Sequence, residues 1–188
     1  MRAWIVALLL VSPTLALADD GFYVGIGGGS NAKVSDGLGD AYSSKNHKAH
    51  RFVLGRRMGP WAIEANVVGT DLTDLNRPVG NDKFGTASLG AALKYYLPIT
   101  SSLELYVRGG LNETWLGERV SVGADHAFQG RGYDYGTGVQ YAFRLGQAQA
   151  ALWLDLNSQA FRLHKDGQDS IDGKVQMLTL GVSIGTGL

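Results

Sequence analysis

The chain has no cysteine and only four prolines. Without disulfides, an exported domain of this size must draw its stability from a full core or a closed barrel. Net charge is missing too, since Lys+Arg and Asp+Glu both number 17. A nucleic-acid partner needs a basic footprint, so none is expected here. Beyond the first eighteen residues there is no run of eighteen consecutive apolar residues, which excludes a helical membrane span. Low-complexity tracts and fixed-period repeats are also lacking, so a solenoid is excluded.

The first segment present is a leader. Arg2 supplies a short positive start, Trp4 to Val11 is an unbroken apolar run, and Ala16-Leu17-Ala18 is an A-x-A site of small residues. That is the three-part pattern of a secretory signal peptide, too short for a stable spanning helix. Residues 1–18 are therefore expected to be cleaved, leaving 19–188 as one domain with a single excess acidic group. Glycine is abundant, 27 in all, and Val, Leu, Tyr and Thr fill most segments.

Read for a period of two, that domain yields eight alternating segments. Phe22, Val24 and Ile26 oppose Tyr23, Gly25 and Gly27 in the first. Phe52, Leu54 and Met58 oppose Arg51, Val53, Gly55 and Arg57 in the second. The third (61–70) sets Trp61, Ile63, Ala65 and Val67 against Ala62, Glu64 and Asn66. The fourth (84–97) sets Leu89, Leu93 and Tyr95 against Ser88, Lys94 and Tyr96. Leu103, Leu105, Val107 and Leu111 face away from Glu104, Tyr106 and Arg108 in the fifth (103–112). Tyr133, Tyr135, Val139, Tyr141 and Phe143 oppose Asp134 and Gln140 in the sixth (130–143). Leu152, Leu154 and Leu156 oppose Trp153, Asp155 and Asn157 in the seventh (148–160). Leu178, Leu180, Val182 and Ile184 oppose Met177, Thr179 and Ser183 in the eighth (174–188).

The connections alternate long and short throughout: 31–49, Gly59-Pro60, 71–83, 98–102, 113–129, 144–147 and 162–173. An even number of strands with long loops at one end and short turns at the other is an outer-membrane pattern. Alternation alone does not say which face is wet, because a soluble lipid-binding barrel has apolar residues inside. Strands of ten or more residues, the length needed to cross a bilayer at a tilt, favour the membrane. So do Trp61, Tyr95, Tyr141 and Phe143, aromatics on the apolar face beside the short turns, where an interfacial girdle belongs. The expectation is an all-β, eight-stranded antiparallel up-and-down transmembrane β-barrel.

Five stretches carry a resemblance: Gly21-Phe22-Tyr23-Val24-Gly25, Trp61-Ala62-Ile63-Glu64-Ala65, Leu93-Lys94-Tyr95-Tyr96-Leu97-Pro98, Tyr135-Gly136-Thr137-Gly138-Val139-Gln140-Tyr141, and Leu180-Gly181-Val182-Ser183. In this order they resemble the small outer-membrane β-barrel family that includes OmpX-like and OmpA-transmembrane-domain-like proteins. The resemblance implies a Gram-negative outer-membrane location, a lipid and lipopolysaccharide environment, and handling by the barrel-assembly machinery. Such proteins usually end in an aromatic that this machinery recognises. Here the end is Thr186-Gly187-Leu188, and Leu188 keeps the outward parity without the ring.

The inward face collects Arg51, Arg57, Glu64, Lys94, Glu104, Arg108 and Asp155. Charges in so narrow a lumen are costly unless paired, so these residues are expected to neutralise one another and plug the barrel rather than line a pore. Catalytic look-alikes carry less weight. Gly181-Val182-Ser183-Ile184-Gly185 matches G-x-S-x-G, but a nucleophile elbow requires a sharp strand-to-helix turn. Gly25 to Gly29 lacks the βαβ setting of a phosphate loop and suits a crowded lumen. His47 and His50 have no metal-ligand partners at motif spacing. His126 invites comparison with outer-membrane lipid A deacylases, but Phe128 stands where their Ser would be. Asp166, Asp169 and Asp172 lack the order of a Ca²⁺ loop.

No catalytic residue, cofactor or metal is therefore assigned, and a monomer is expected. The leading reading is a non-enzymatic surface protein whose four long loops meet lipopolysaccharide, a host surface or other cells. Lys33, Lys45, Lys48, Arg77 and Lys83 are available to lipid phosphates. A lipid-modifying enzyme, a narrow pore and a soluble periplasmic lipid-binding barrel stand as alternatives.

Overall fold

A computed structural model describes residues 20–35, 42–43, 48–74, 84–118, 128–146, 148–164, 170–186 and 188. The leader, and with it residues 1–18, lies outside them, as do His47, His126, Lys45, Arg77, Lys83, Asp166 and Asp169. The strands are β1 (Gly21–Ser35), β2 (Tyr42–Ser43), β3 (Lys48–Met58), β4 (Trp61–Asp74), β5 (Phe84–Pro98), β6 (Leu103–Glu118), β7 (Phe128–Leu145), β8 (Ala148–His164) and β9 (Ile171–Gly185). Each long strand pairs antiparallel with its sequence neighbour, and β1 pairs with both β3 and β9. The eight long strands thus close into a ring with no free edge, as a membrane requires. The two-residue β2 pairs with the far end of β4 and stands outside the ring.

Side-chain parity decides what each face meets. Leu111, Ile26 and Leu180 are 73%, 64% and 62% exposed, and Phe22, Ile63, Leu93, Leu152 and Leu156 share their outward direction. A wall this apolar is stable only against hydrocarbon. Gly59 and Gly146, with φ of 58° and 63°, take the left-handed conformation in two of the short turns, where a Cβ would be strained.

Seven of the long strands run further at the long-loop end than their alternation predicts: β1 to Ser35, β3 back to Lys48, β4 to Asp74, β6 to Glu118, β7 back to Phe128, β8 to His164 and β9 back to Ile171. The polarity of the two faces inverts over the extensions of β7, β8 and β9. On β8 the outward series Leu152, Leu154, Leu156 gives way to Arg162 and His164, while Phe161 and Leu163 turn inward. There Ala49, Val68, Leu116, Phe161, Leu163, Val175 and Met177 form a buried apolar cluster. This end projects past the lipid-facing band like an ordinary water-soluble barrel, and a search for one continuous apolar face stops short of it.

Candidate functional site

The interior is stacked in tiers. At the short-turn end, Tyr23, Ala62, Tyr96, Tyr106 and Ala151 form an apolar and aromatic cluster that includes Leu188. The expected outward parity of Leu188 therefore does not hold. β9 ends at Gly185, so the strand period no longer governs the chain, and the Leu188 N–H donates to Gln149 Oε1 at 2.8 Å. Ile184 is the nearby residue that does face outward.

Above this cluster sit the charges. Glu64 Oε2 lies 3.0 Å from Arg51 Nη2, and Oε1 lies 3.0 Å from Lys94 Nζ. Tyr23 donates its hydroxyl to the same Oε1 at 2.7 Å. Arg51 also pairs with Asp155. Arg108 pairs with Asp134 and lies 3.8 Å from both Glu64 and Asp155. One step nearer the short turns, Arg57 grips Glu104 with two parallel bonds of 2.7 and 2.8 Å and donates Nε to the Gly59 carbonyl. Such two-pronged geometry is a property of the guanidinium fork. Arg57→Lys, which keeps the charge but not the fork, should lower stability by about 1–2 kcal/mol in urea unfolding.

All seven interior residues named from the sequence are buried, together with Asp134. Asp134 belongs to the same inward parity, between Tyr133 and Tyr135, and that parity was signal enough to find it. Among the described residues the buried ionic groups are Arg51, Arg57, Lys94 and Arg108 against Glu64, Glu104, Asp134 and Asp155. The cations and anions balance. Aromatic faces support the cations: Lys94 Nζ lies 3.9 Å from the Tyr106 ring centre and Arg57 Cζ lies 4.0 Å from that of Tyr96.

Trp153 lies along the inner wall from β8 over β9 to β1, beside Arg51, and donates Nε1–H to Ser183 Oγ at 2.9 Å. Ser183, the central residue of the G-x-S-x-G match, sits on an unbroken strand and is occupied as that acceptor. A Cβ added to Gly27 or Gly181 would collide with the Trp153 indole, and one added to Gly55 with Tyr23. The inward glycines thus make room for rings in a lumen that side chains fill. Toward the projecting end a neutral polar tier follows, with Thr70 hydrogen-bonded to Thr86 at 2.6 Å and Ser88 to Thr114 at 2.8 Å.

On the outer wall, Trp61 and Tyr95 are cross-strand neighbours with ring centres 4.5 Å apart, and Tyr141 and Phe143 stack at 6.3 Å. A second outward pair, Tyr133 and Tyr135, stacks at 6.1 Å further along β7. From Phe143 to Tyr133 the strand rises about 33 Å. Tilted by about 45°, this spans about 23 Å of bilayer, close to the height of the apolar band in such barrels.

A closed eight-stranded ring with an apolar exterior and a charge-balanced interior defines an integral outer-membrane β-barrel. The chain belongs to the outer membrane protein beta-barrel domain family, whose model matches residues 4–185. Its place is the Gram-negative outer membrane. Among solved structures it is similar to Neisserial surface protein A (NspA), with 22% identity, a TM-score of 0.59 and coverage of 87% of this chain and 96% of that one. It is also similar to the outer membrane protein AlkL, solved in DMPC bilayers, with 16% identity, a TM-score of 0.50 and coverage of 92% and 93%. At these identities the likeness concerns the fold. No curated protein sequence matches the chain.

Proposed function

We propose that the chain is a non-enzymatic outer-membrane anchor, its leader removed before Asp19 and its lumen closed by the interior ion network. It presents four long connections outward for contact with surfaces or for envelope integrity. The observation that supports this best is the charge-balanced tier of Arg51, Glu64, Lys94, Arg108, Asp134 and Asp155, with Trp153 beside Arg51. An eight-stranded ring leaves space only for such side chains. In this reading Trp61, Tyr95, Tyr141 and Phe143 mark the inner membrane interface, and outer-membrane lipid, lipopolysaccharide and the barrel-assembly machinery are the partners.

Two measurements test the proposal. Purified protein in planar bilayers should give no stable conductance steps; reproducible steps from the wild type would rule out a closed lumen. Lipid A from a deletion strain should keep its acyl pattern by mass spectrometry. An altered pattern would make the protein a lipid-modifying enzyme instead.

A further inference from the structure

Just above Tyr133 and Tyr135 the outer wall of β7, β8 and β9 changes character. Strand register sets Glu113, Arg131, Arg162 and Asp172 side by side in one row, on β6 to β9. Gln129 and His164 pair in the row above, and Tyr133, Ala160 and Lys174 lie in the row below. A groove of about 670 Å³ runs between them, lined by Arg131, Tyr133, Ala160, Arg162 and Asp172. An adjoining one of about 530 Å³ reaches His164 and Glu113. Ala160 is the small residue that makes the wall concave.

Of the two acids in this row, one is bound to an arginine and the other to an amide. Asp172 binds Arg162 at 2.6 and 3.0 Å, and Glu113 accepts from Gln129 at 2.7 Å. Arg131 stands between Glu113 on β6 and Arg162 on β8, so the two arginines are direct neighbours in a row that is neutral as a whole. Like charges directly opposite on a sheet are destabilising, and an anion shared between them would reverse the sign of the interaction. Lys174, one row below beside Ala160, lies 5.7 Å from the Tyr135 ring centre. Below the groove lie the rings of Tyr133 and Tyr135 and then the Leu156–Leu178 pair.

We propose that this groove binds the phosphorylated sugar headgroup of an outer-leaflet glycolipid of the lipopolysaccharide class. Arg131 and Arg162 hold one phosphate, and the acyl chains descend along the tyrosines and leucines beneath. A lipid meets this vertical order, cations over aromatic rings over leucines; a free phosphate uses only its top. The site lies on the outer wall, so it is independent of whether the lumen is closed.

The test uses the full barrel in zwitterionic micelles, with binding of bisphosphorylated lipid A followed by thermophoresis. Arg131→Ala/Arg162→Ala should bind about tenfold more weakly, and dephosphorylated lipid A should show a similar loss. Ala160→Trp keeps both cations but fills the groove, and should also bind weakly. Arg56→Ala, near the short turns, should bind as the wild type does. Heat-modifiable migration on gels confirms that each variant is folded. Unchanged affinity in the double variant, or an equal loss in Arg56→Ala, would overturn the proposal. Inorganic phosphate binding as tightly as lipid A would reassign the groove to a free anion.

Discussion

Glu64→Ala should lower the stability of the folded barrel by about 3–5 kcal/mol, the usual cost of breaking a buried ion pair from one side. Glu64 serves Arg51, Lys94 and the Tyr23 hydroxyl together, with Arg108 at 3.8 Å. Its removal leaves three cations facing two acids where water has little access. Urea unfolding in lipid vesicles should show the midpoint falling. Adding Lys94→Met restores the balance of charge and should recover part of the loss, although Met cannot satisfy the tyrosines now beneath it. Glu64→Gln, which retains an acceptor for Tyr23, should fall between. A Glu64→Ala barrel within 1 kcal/mol of the wild type would mean that the interior is wet enough to solvate the orphaned cations, and the closed-lumen proposal would fail with it.

The second large effect concerns space rather than charge. Gly181→Val places new atoms inside the volume held by the Trp153 indole, and overpacking of this kind costs about 1–3 kcal/mol. Trp153→Ala alone should cost about 3–5 kcal/mol through the cavity it opens, and it removes the donor to Ser183. Combined, the two changes should cost clearly less than their sum, since the valine then enters vacated room. A double-mutant cycle on unfolding free energies measures this coupling. Strict additivity would show that the ring does not rest on the β1–β9 seam.

Much of this architecture is legible in the residues because a period of two has only two faces. The strand order, the closing of the ring and the inward set from Arg51 to Asp155 follow from counting positions. Which cation meets which acid does not. Arg108 stands opposite Lys94 across β5 and β6, a like-charged neighbour. Its acid, Asp134, reaches it from β7. Asp134 has the right parity but sits among tyrosines that draw attention to the opposite face. The extensions of β7, β8 and β9 beyond the apolar band are hidden for another reason: their alternation continues while its polarity reverses. Leu188 escapes the pattern because β9 has already ended.

That reversal gives the molecule two different solvents to fold against. The lipid-facing band gains little from excluding water once it is inserted, and its cohesion comes from packing and hydrogen bonds. The projecting end, with Phe161, Leu163, Val175 and Met177 enclosed beneath His50, Asp71, Arg131 and Arg162, is held by the hydrophobic effect proper. Opening that end alone should carry a positive heat-capacity change, and cooling should loosen it before it affects the embedded wall. In the proposed topology the cold-sensitive part of the protein is the part that carries the outward connections.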